Sequence, residues 1–153
     1  MTASDANLQE TVLEGANCRL ADLSNSDLRF VRARQARFER AALTNSKWVA
    51  FDADDADFGF ADLRGSHLEG GSFARASFVG AVLLGANALS CNFQEADFYW
   101  AELDKFWMSN CSTQGARFPE PARAVYGLRS TGPVIAMRPL YRAPVSDINT
   151  GDV

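Results

Sequence analysis

The feature that most constrains this chain is an unbroken five-residue period. From Ala6 to Glu120 the sequence divides into 23 consecutive pentads, and the middle residue of 16 of them is Leu or Phe. The residue two places before the middle is Ala in 13 of the 23 pentads. Steps of five would scatter apolar side chains around an α-helix and alternate them between the faces of a straight strand. The chain must therefore bend after each pentad, so that every central side chain points toward one axis.

The order of the central residues predicts how many pentads make one turn. Sorted by a period of 20, the centres fall into classes of like residues, because side chains stacked in one column share the same space. Two classes are nearly uniform: Leu23, Leu43, Leu63, Leu83 and Leu103, and Phe38, Phe58, Phe78, Phe98 and Phe118. We predict a solenoid with four short sides, about 20 residues per turn and nearly six turns. The last place is often Gly or Asn, which suits a tight turn.

Several pentads resemble a known family. The runs ADLRG at 61–65 and ADFYW at 96–100 are similar to the A(D/N)LXX consensus of the pentapeptide-repeat proteins. The resemblance covers 115 of the 153 residues. It implies an all-β fold, a right-handed quadrilateral β-helix, and it leaves the function open because one fold serves many functions.

Proline marks the predicted end of the coil. We place the β-helix at residues 6–120, after a short polar lead, and a C-terminal cap and extended tail at residues 121–153. Pro119 and Pro121 end the repeat because Pro cannot donate a hydrogen bond to a ladder. Residues 121–128 are expected to form one or two helical turns. We also expect five apolar tail residues to fold back over the coil, or over a second chain, unless the tail orders only on a partner: Val134, Ile135, Met137, Leu140 and Tyr141.

The sequence contains no recognisable catalytic, cofactor-binding or metal-binding motif. His67 is interpreted as a surface residue. The three Cys are interpreted as reduced core residues, and a disulfide between Cys91 and Cys111, which are neighbours in one column, is the alternative. An enzyme with an unrecognised surface site is left open.

The polar N-terminus and the length of the apolar runs indicate the cellular compartment of this protein. The first ten residues are too polar for a signal peptide, and no apolar run approaches the ~18 residues of a membrane span. We therefore expect a cytoplasmic protein that does not engage a membrane.

Two sets of outward residues are candidates for a partner surface. Residues 6–120 carry 16 acidic and 11 basic side chains, a net charge of −5. A basic belt falls within one turn and consists of Arg29, Arg32, Arg34, Arg37, Arg40 and Lys47. An acidic belt, which we expect to face solvent, falls in the next turn and pairs with it in part, for example Arg32 with Asp52 and Arg34 with Asp54. The acidic belt is Asp52, Asp54, Asp55, Asp57 and Asp62. A group of exposed apolar residues on two adjacent sides usually marks a contact; it is Phe60, Val79, Val82, Leu84, Tyr99 and Trp100.

These observations predict a non-enzymatic scaffold that presents rigid faces to a protein partner. The resemblance adds an alternative: a DNA mimic that binds DNA gyrase or a related topoisomerase and protects it from quinolones or other poisons, which is a form of antibiotic resistance. A coil of about 28 Å is short for that role, and its basic belt is unlike a phosphate backbone. We expect no cofactor and no direct binding of nucleic acid, and a homodimer through the tail or the coil ends is left open.

Overall fold

Backbone pairing in this protein repeats at 20-residue intervals. The fold is taken from a computed structural model, which describes residues 2–119 and the backbone of residues 135 and 136. The second residue of each pentad pairs in parallel with the residue one turn later, from Thr2 with Asp22 to Asp97 with Arg117. Every turn therefore rests on the turn before it. The predicted right-handed quadrilateral β-helix is confirmed.

One of the four sides forms continuous strands. They are β1 (Lys47–Val49), β2 (His67–Glu69), β3 (Asn87–Leu89) and β4 (Trp107–Ser109), which pair in parallel in that order. A short strand from the tail, β5 (Ile135–Ala136), pairs antiparallel with β4. The described residues contain no helix at all, and so none with the length and apolar character to cross a membrane.

We number the four sides in chain order by the column of central residues that each contributes. Side 1 contributes the Leu column that begins at Leu23, and side 2 contributes the strands with Trp48. Side 3 contributes Phe73 and Phe93, and side 4 contributes the Phe column that begins at Phe38.

The Phe column of side 4 is a continuous stack of rings. Centroids of successive rings are 4.8–5.0 Å apart and their planes are within 9° of parallel. This distance matches the spacing of about 4.8 Å between neighbouring strands. Each buried Phe contributes roughly 1.5–3 kcal/mol, so the column is a major source of stability. Its described members are Phe38, Phe58, Phe78, Phe98 and Phe118.

Burial of the centres follows their position in the stack. All centres from Leu23 to Met108 are buried, as predicted, and so is Phe118. Leu8, Leu13 and Cys18 in the first turn, and Thr113 in the last, are only half-buried. Terminal turns have a neighbouring turn on one side alone, which accounts for the difference.

The chain bends in the same way at every corner. All 23 residues at the last place of a pentad, from Asp5 to Gly115, have a φ between 50° and 73°. Only six of them are Gly, and a non-Gly residue in this left-handed conformation costs roughly 1–2 kcal/mol. The expected turns are present, but large residues such as Phe60 and Trp100 adopt them as well.

The coil begins earlier than residue 6. The Ala3 N–H donates to the Asp22 carbonyl at 2.7 Å, and the Asp5 N–H donates to the Ser24 carbonyl at 2.9 Å. The predicted polar lead is thus the first pentad. This pentad was not recognised in the sequence because it is polar. Only the small side chain of Ala3 packs against the core, and the neighbouring side chains are exposed.

Most of the predicted tail lies outside the described residues, including the helical turns at 121–128. Of the five residues expected to cover the exposed apolar group, only Ile135 is described. Its backbone pairs with Met108 at the end of side 2, and not over Tyr99 or Trp100 on side 4. The other four lie outside the described residues: Val134, Met137, Leu140 and Tyr141.

Candidate functional site

The acidic belt is spread over three sides, so it is not one surface. Asp52, Asp54 and Asp55 belong to side 3, Asp57 belongs to side 4 and Asp62 belongs to side 1. A partner that approaches one side therefore meets only part of the belt.

Arginine side chains neutralise two members of the belt. Arg75 binds Asp55 through two bonds, with Nε–Oδ1 at 2.7 Å and Nη2–Oδ2 at 2.8 Å, and this pairing lowers the pKa of Asp55. Arg64 binds Asp62 in the same way, with Nε–Oδ1 at 2.8 Å. Burial alone would raise the pKa of Asp62, but the bonds from Arg64 outweigh it, and the pKa is lowered.

Asp54 has a structural role, so the expectation that it faces solvent is wrong. Its side chain is only 17% exposed. Its Oδ1 accepts hydrogen bonds from the Ser72 hydroxyl and, at 3.0 Å, from the Ala74 N–H in the next turn. Arg34 also lies 4.0 Å from its Oδ2, as predicted. A carboxylate that accepts bonds from the next turn ties two turns of side 3 together.

The other two members of the belt also have partners. The Asp52 carboxylate lies 3.4 Å from Arg34 Nη1. The expected pair of Arg32 with Asp52 is absent from the described residues, where Arg32 instead lies 4.0 Å from Glu14. Asp57 Oδ1 accepts the Gly59 N–H at 2.8 Å. Every acidic residue of the belt is thus engaged by a donor of the coil itself.

Exposed aromatic side chains are concentrated on the corner between sides 4 and 1. We call Phe60, Tyr99 and Trp100 the aromatic edge. Phe60 is 57% and Trp100 67% exposed, and both have positive φ, of 57° and 61°. They occupy the same place two turns apart, which corresponds to about 9.6 Å along the coil. The Tyr99 ring stacks on Trp100, with centroids 4.8 Å apart.

Arginine and glycine hold the aromatic edge in place. The guanidinium of Arg40 lies 5.9 Å from the Phe60 ring centroid, and that of Arg117 lies 4.4 Å from the Tyr99 centroid. The Phe60 ring covers Gly80, where an added Cβ would come within 2.6 Å of the ring. The rings are therefore oriented by their neighbours although their faces are accessible.

The remaining candidate apolar residues flank the aromatic edge. Val79 lies on side 4 and Val82 on side 1, and both are partly exposed. Leu84 is 40% exposed on side 1. The backbone of Val82 pairs with that of Asp62, so the apolar group adjoins the acidic belt on side 1.

Sequence reasoning missed Arg40 and Arg117 as parts of this surface. Arg40 lies one turn before Phe60. One turn after Tyr99 is position 119, and Arg117 lies two residues before that position. The 20-residue spacing could therefore have identified both. The strain at the aromatic edge was missed too, because it depends on backbone conformation.

His67 and the cysteines offer limited chemistry. His67 Nδ1 lies 2.6 Å from Asn87 Oδ1, and its Nε2 lies 3.0 Å from Glu69 Oε2. Cys91 and Cys111 are free thiols in adjacent turns, and the Cys91 N–H donates to Cys111 Sγ at 3.4 Å. The interaction of the two side chains raises the pKa of Cys91 and lowers that of Cys111 to about 7. Within residues 2–119, no group of three or more His, Cys, Asp or Glu side chains is placed to hold a metal ion.

A family model for known proteins matches the repeated part of the chain. The family model for pentapeptide repeats matches in 8 copies, over residues 4–40, 34–70, 56–88 and 72–110. No curated protein matches the chain.

Two solved structures illustrate the structural likeness. The chain is similar to trypsin-treated QnrB1, a plasmid-mediated fluoroquinolone resistance protein, with a TM-score of 0.50 and 17% identity over 74% of this chain and 68% of that one. It is also similar to HetL, a pentapeptide repeat protein involved in heterocyst differentiation regulation from the cyanobacterium Nostoc sp. strain PCC 7120. The TM-score there is 0.38, with 21% identity over 76% of this chain and 62% of HetL. Identities this low show the fold alone.

Proposed function

The chain belongs to the pentapeptide-repeat family, and we propose that it is a non-enzymatic scaffold that binds a protein partner through the aromatic edge. The observation that carries this proposal is that Phe60 and Trp100, both exposed and in left-handed backbone, lie on one corner together with Tyr99, which stacks on Trp100.

Stability of the coil does not account for those residues. A non-Gly residue with positive φ costs roughly 1–2 kcal/mol relative to an unstrained conformation. The corner that follows side 1 avoids much of that cost by using Asn25, Asn45, Gly65 and Gly85, since Gly and Asn adopt this conformation most readily. The corner that follows side 4 instead places Phe60 and Trp100 where more than half of each side chain stays in water.

The chemistry of the aromatic edge suits protein recognition. Tyr, Trp and Arg are enriched among the residues that contribute most to binding energy at protein interfaces. Tyr99, Trp100 and Arg117 form a connected group, and Phe60 lies about 9.6 Å away. Because these residues project from a hydrogen-bonded coil, binding would order few additional dihedral angles, which lowers its entropic cost.

A matched pair of variants tests the proposal. Phe30 is 49% exposed with a φ of 60°, but it lies on the corner that follows side 2. A double variant, Phe60→Asn with Trp100→Asn, removes the aromatic edge and keeps residues that tolerate positive φ. Phe30→Asn is the control, and melting curves establish first that each variant folds.

The measurement is cross-linking and capture from the source cell, with the captured proteins identified by mass spectrometry. We expect the wild type and Phe30→Asn to capture the same partner, and the double variant to lose it. Equal capture by all three proteins would exclude the aromatic edge as the binding surface.

A second candidate function comes from the structural likeness to QnrB1, described as a fluoroquinolone resistance protein. Here the chain would bind gyrase as an acidic mimic of DNA, in the cytoplasm, and the acidic belt would carry the activity. A DNA duplex presents phosphates that the cations of its protein partner neutralise. Asp55 and Asp62 are already paired with arginines of the coil itself, and this weighs against the function.

A supercoiling assay with gyrase and a quinolone separates the two functions. DNA mimicry predicts protection by the wild type and loss of protection in a double variant, Asp52→Lys with Asp55→Lys. These positions avoid Asp54, whose side chain is only 17% exposed and accepts the Ser72 hydroxyl and the Ala74 N–H. Because Asp52 and Asp55 also pair with Arg34 and Arg75, melting curves establish first that the double variant folds. No protection by excess wild-type protein leaves the scaffold function ahead.

A further inference from the structure

Two of the three cysteines are stacked on side 3 in adjacent turns. Cys91 and Cys111 are 20 residues apart, and each occupies the first place of its pentad. The residues that follow them, Asn92 and Ser112, pair in parallel. Stacked residues of neighbouring strands lie about 4.8 Å apart. This separation is within the range of about 4.4–6.8 Å that the Cα atoms of a disulfide span.

The Cys111 sulfur extends toward the turn that carries Cys91. Its Sγ accepts the Cys91 N–H at 3.4 Å and lies 3.5 Å from the carbonyl oxygen of Ala88, three residues before Cys91. The Cys91 Sγ lies 3.4 Å from the Leu89 carbonyl oxygen. Both sulfurs therefore lie beside the corner that joins sides 2 and 3, and the backbone itself brings the two thiols together.

The two thiols differ in access to solvent and in acidity. Cys91 is 2% exposed, whereas Cys111 is partly exposed. The interaction with the Cys91 side chain lowers the pKa of Cys111 to about 7, although burial opposes this shift. A large share of Cys111 is therefore thiolate near neutral pH, and the thiolate is the form of cysteine that reacts.

Cys18 shows none of these features. It is half-buried at the centre of its pentad, and burial raises its pKa. The residue stacked on it one turn later is Phe38, which carries no thiol. The chain thus contains its own comparison between a paired cysteine and an isolated one.

We propose that Cys91 and Cys111 are a redox-active pair, in which Cys111 reacts with a hydroperoxide and Cys91 then closes a reversible disulfide between adjacent turns. In the first step the Cys111 thiolate attacks the terminal oxygen of the peroxide. An S–O bond forms, the O–O bond breaks, and the departing oxygen takes a proton from solvent to leave as water or an alcohol. The sulfur is oxidised to a sulfenic acid, and the peroxide is reduced by two electrons.

In the second step the Cys91 sulfur attacks the sulfenic sulfur of Cys111. An S–S bond forms, the S–O bond breaks, and the departing hydroxide leaves as water with the proton of Cys91. Contact with Cys111 is the largest cause of the raised pKa of Cys91. Oxidation removes the Cys111 thiolate, so the Cys91 thiol loses its proton more easily once the first step is complete.

The spacing of the coil makes the disulfide reversible. The Cβ atoms of residues in register on parallel strands follow the strand spacing of about 4.8 Å, whereas those of a relaxed disulfide are about 3.8 Å apart. A disulfide between Cys91 and Cys111 must draw the two turns together locally. Strained disulfides are more easily reduced than relaxed ones, so an ordinary thiol reductant should restore the pair.

The first test uses the full wild-type chain, which is reduced and then exposed to hydrogen peroxide at neutral pH. The remaining thiols are alkylated in denaturant and counted by intact mass spectrometry. We expect two of the three thiols to be lost without a gain of oxygen, peptide mapping to show Cys91 linked to Cys111, and dithiothreitol to restore both thiols. Three thiols that can still be alkylated, or a disulfide between two chains, would overturn the proposal.

Variants separate the roles of the two cysteines, once melting curves show that each variant folds. Cys91→Ser keeps a hydrogen-bond donor beside Cys111 but cannot form the disulfide, so a sulfenic acid should accumulate at Cys111 and be trapped by dimedone. In Cys111→Ser the buried Cys91 should not be labelled. Cys18→Ser is the matched control and should form the same disulfide as the wild type. Equal labelling of Cys91 and Cys111 in their respective variants would contradict the assigned order of reaction.

A second measurement uses the reduced wild type alone, so it does not depend on a variant that folds. The native protein is treated briefly with iodoacetamide, and the labelled sites are mapped. Cys111 should react about fivefold faster than Cys18, because its larger thiolate fraction outweighs the lower intrinsic nucleophilicity of a thiol with a low pKa. Equal rates at the two sites would show that Cys111 is not the activated thiol and would overturn the proposal.

Discussion

At the scale of single residues, buried Ser hydroxyls on side 2 are satisfied within the apolar core, mainly by backbone carbonyls. Ser26, Ser46 and Ser66 are buried on side 2, and each hydroxyl donates to the carbonyl three residues earlier, at 2.6–2.7 Å. Only Ser46 has a second task, because it also accepts the indole N–H of Trp48 at 2.9 Å. Trp48 is fully buried, so this hydroxyl is what satisfies its one polar atom.

Replacing Ser46 should cost more stability than replacing Ser66. Ser66→Ala removes one hydrogen bond, whereas Ser46→Ala also leaves the Trp48 N–H buried without a partner, at an additional cost of about 1–3 kcal/mol. Urea unfolding followed by circular dichroism measures both variants against the wild type. Equal losses would mean that the Trp48 N–H finds another acceptor.

The exposed pair of Asp55 and Arg75 should show its contribution in the dependence of stability on pH. Pairing lowers the pKa of Asp55 below its ordinary value of 3.8. The unfolded chain therefore binds a proton first as pH falls, so the stabilisation is present above about pH 4 and lost below it.

Asp55→Asn should accordingly destabilise the coil slightly at pH 7, by less than about 1 kcal/mol. It should be closer to the wild type at pH 3. Melting temperatures across this range measure the difference, and a gap between the two proteins that widened toward pH 3 would contradict the assignment.

At the scale of the elements, neighbouring turns share their core volume. On side 3, Phe51 occupies a place that is usually small, and the residue one turn above it is Gly71. An added Cβ at Gly71 would lie 2.4 Å from the Phe51 ring, and that ring also contacts Phe73, with centroids 4.5 Å apart. The ring of Phe51 thus fills the space in which a side chain at position 71 would lie.

A double-mutant cycle tests this compensation. Gly71→Ala should cost about 1–3 kcal/mol through overpacking, and Phe51→Val should cost stability by leaving a cavity. The double variant should be more stable than the sum of these losses allows, by about 1 kcal/mol or more. Val31 occupies the same place one turn earlier, so Val is compatible with the coil. Strict additivity would show that the two residues do not share space.

At the scale of the whole molecule, each turn depends on its neighbours. The Phe58 ring is fully buried and stacks between Phe38 at 4.9 Å and Phe78 at 5.0 Å. Interrupting the column at this point separates the first turns from the last. The stability of a solenoid is close to a sum over such contacts, so the middle of the stack is its most sensitive place.

Phe58→Asp should unfold the protein, because it buries a charge that has no partner. Phe60→Asp is the matched control: it is two residues away, exposed, and in a conformation that Asp tolerates. Thermal melting followed by circular dichroism distinguishes them. A soluble Phe58→Asp protein with an unchanged melting curve would mean that Phe58 is not in the core.

The sequence by itself determined the period, the 20-residue turn and the buried centres. Each of these features follows from a short pattern that the sequence repeats. An apolar residue at every fifth position can be buried only if the chain bends at every fifth position. The columns of Leu and Phe then follow because stacked side chains share one space. The exposed aromatic residues could be predicted for the same reason, as the outward places that remain.

Only the tertiary structure decided which partner each outward side chain takes. Asp54 and Asp55 are adjacent in sequence, yet Asp54 ties its turn to Ser72 and Ala74 while Asp55 binds Arg75. Those choices depend on side-chain rotamers and on the neighbouring turn, which a period does not specify. The pairing of Thr2 with Asp22, before the predicted first pentad, and the pairing of Ile135 with Met108 also lie beyond the period, because these segments do not show the repeat. They are set by which backbone groups the neighbouring turn leaves unpaired.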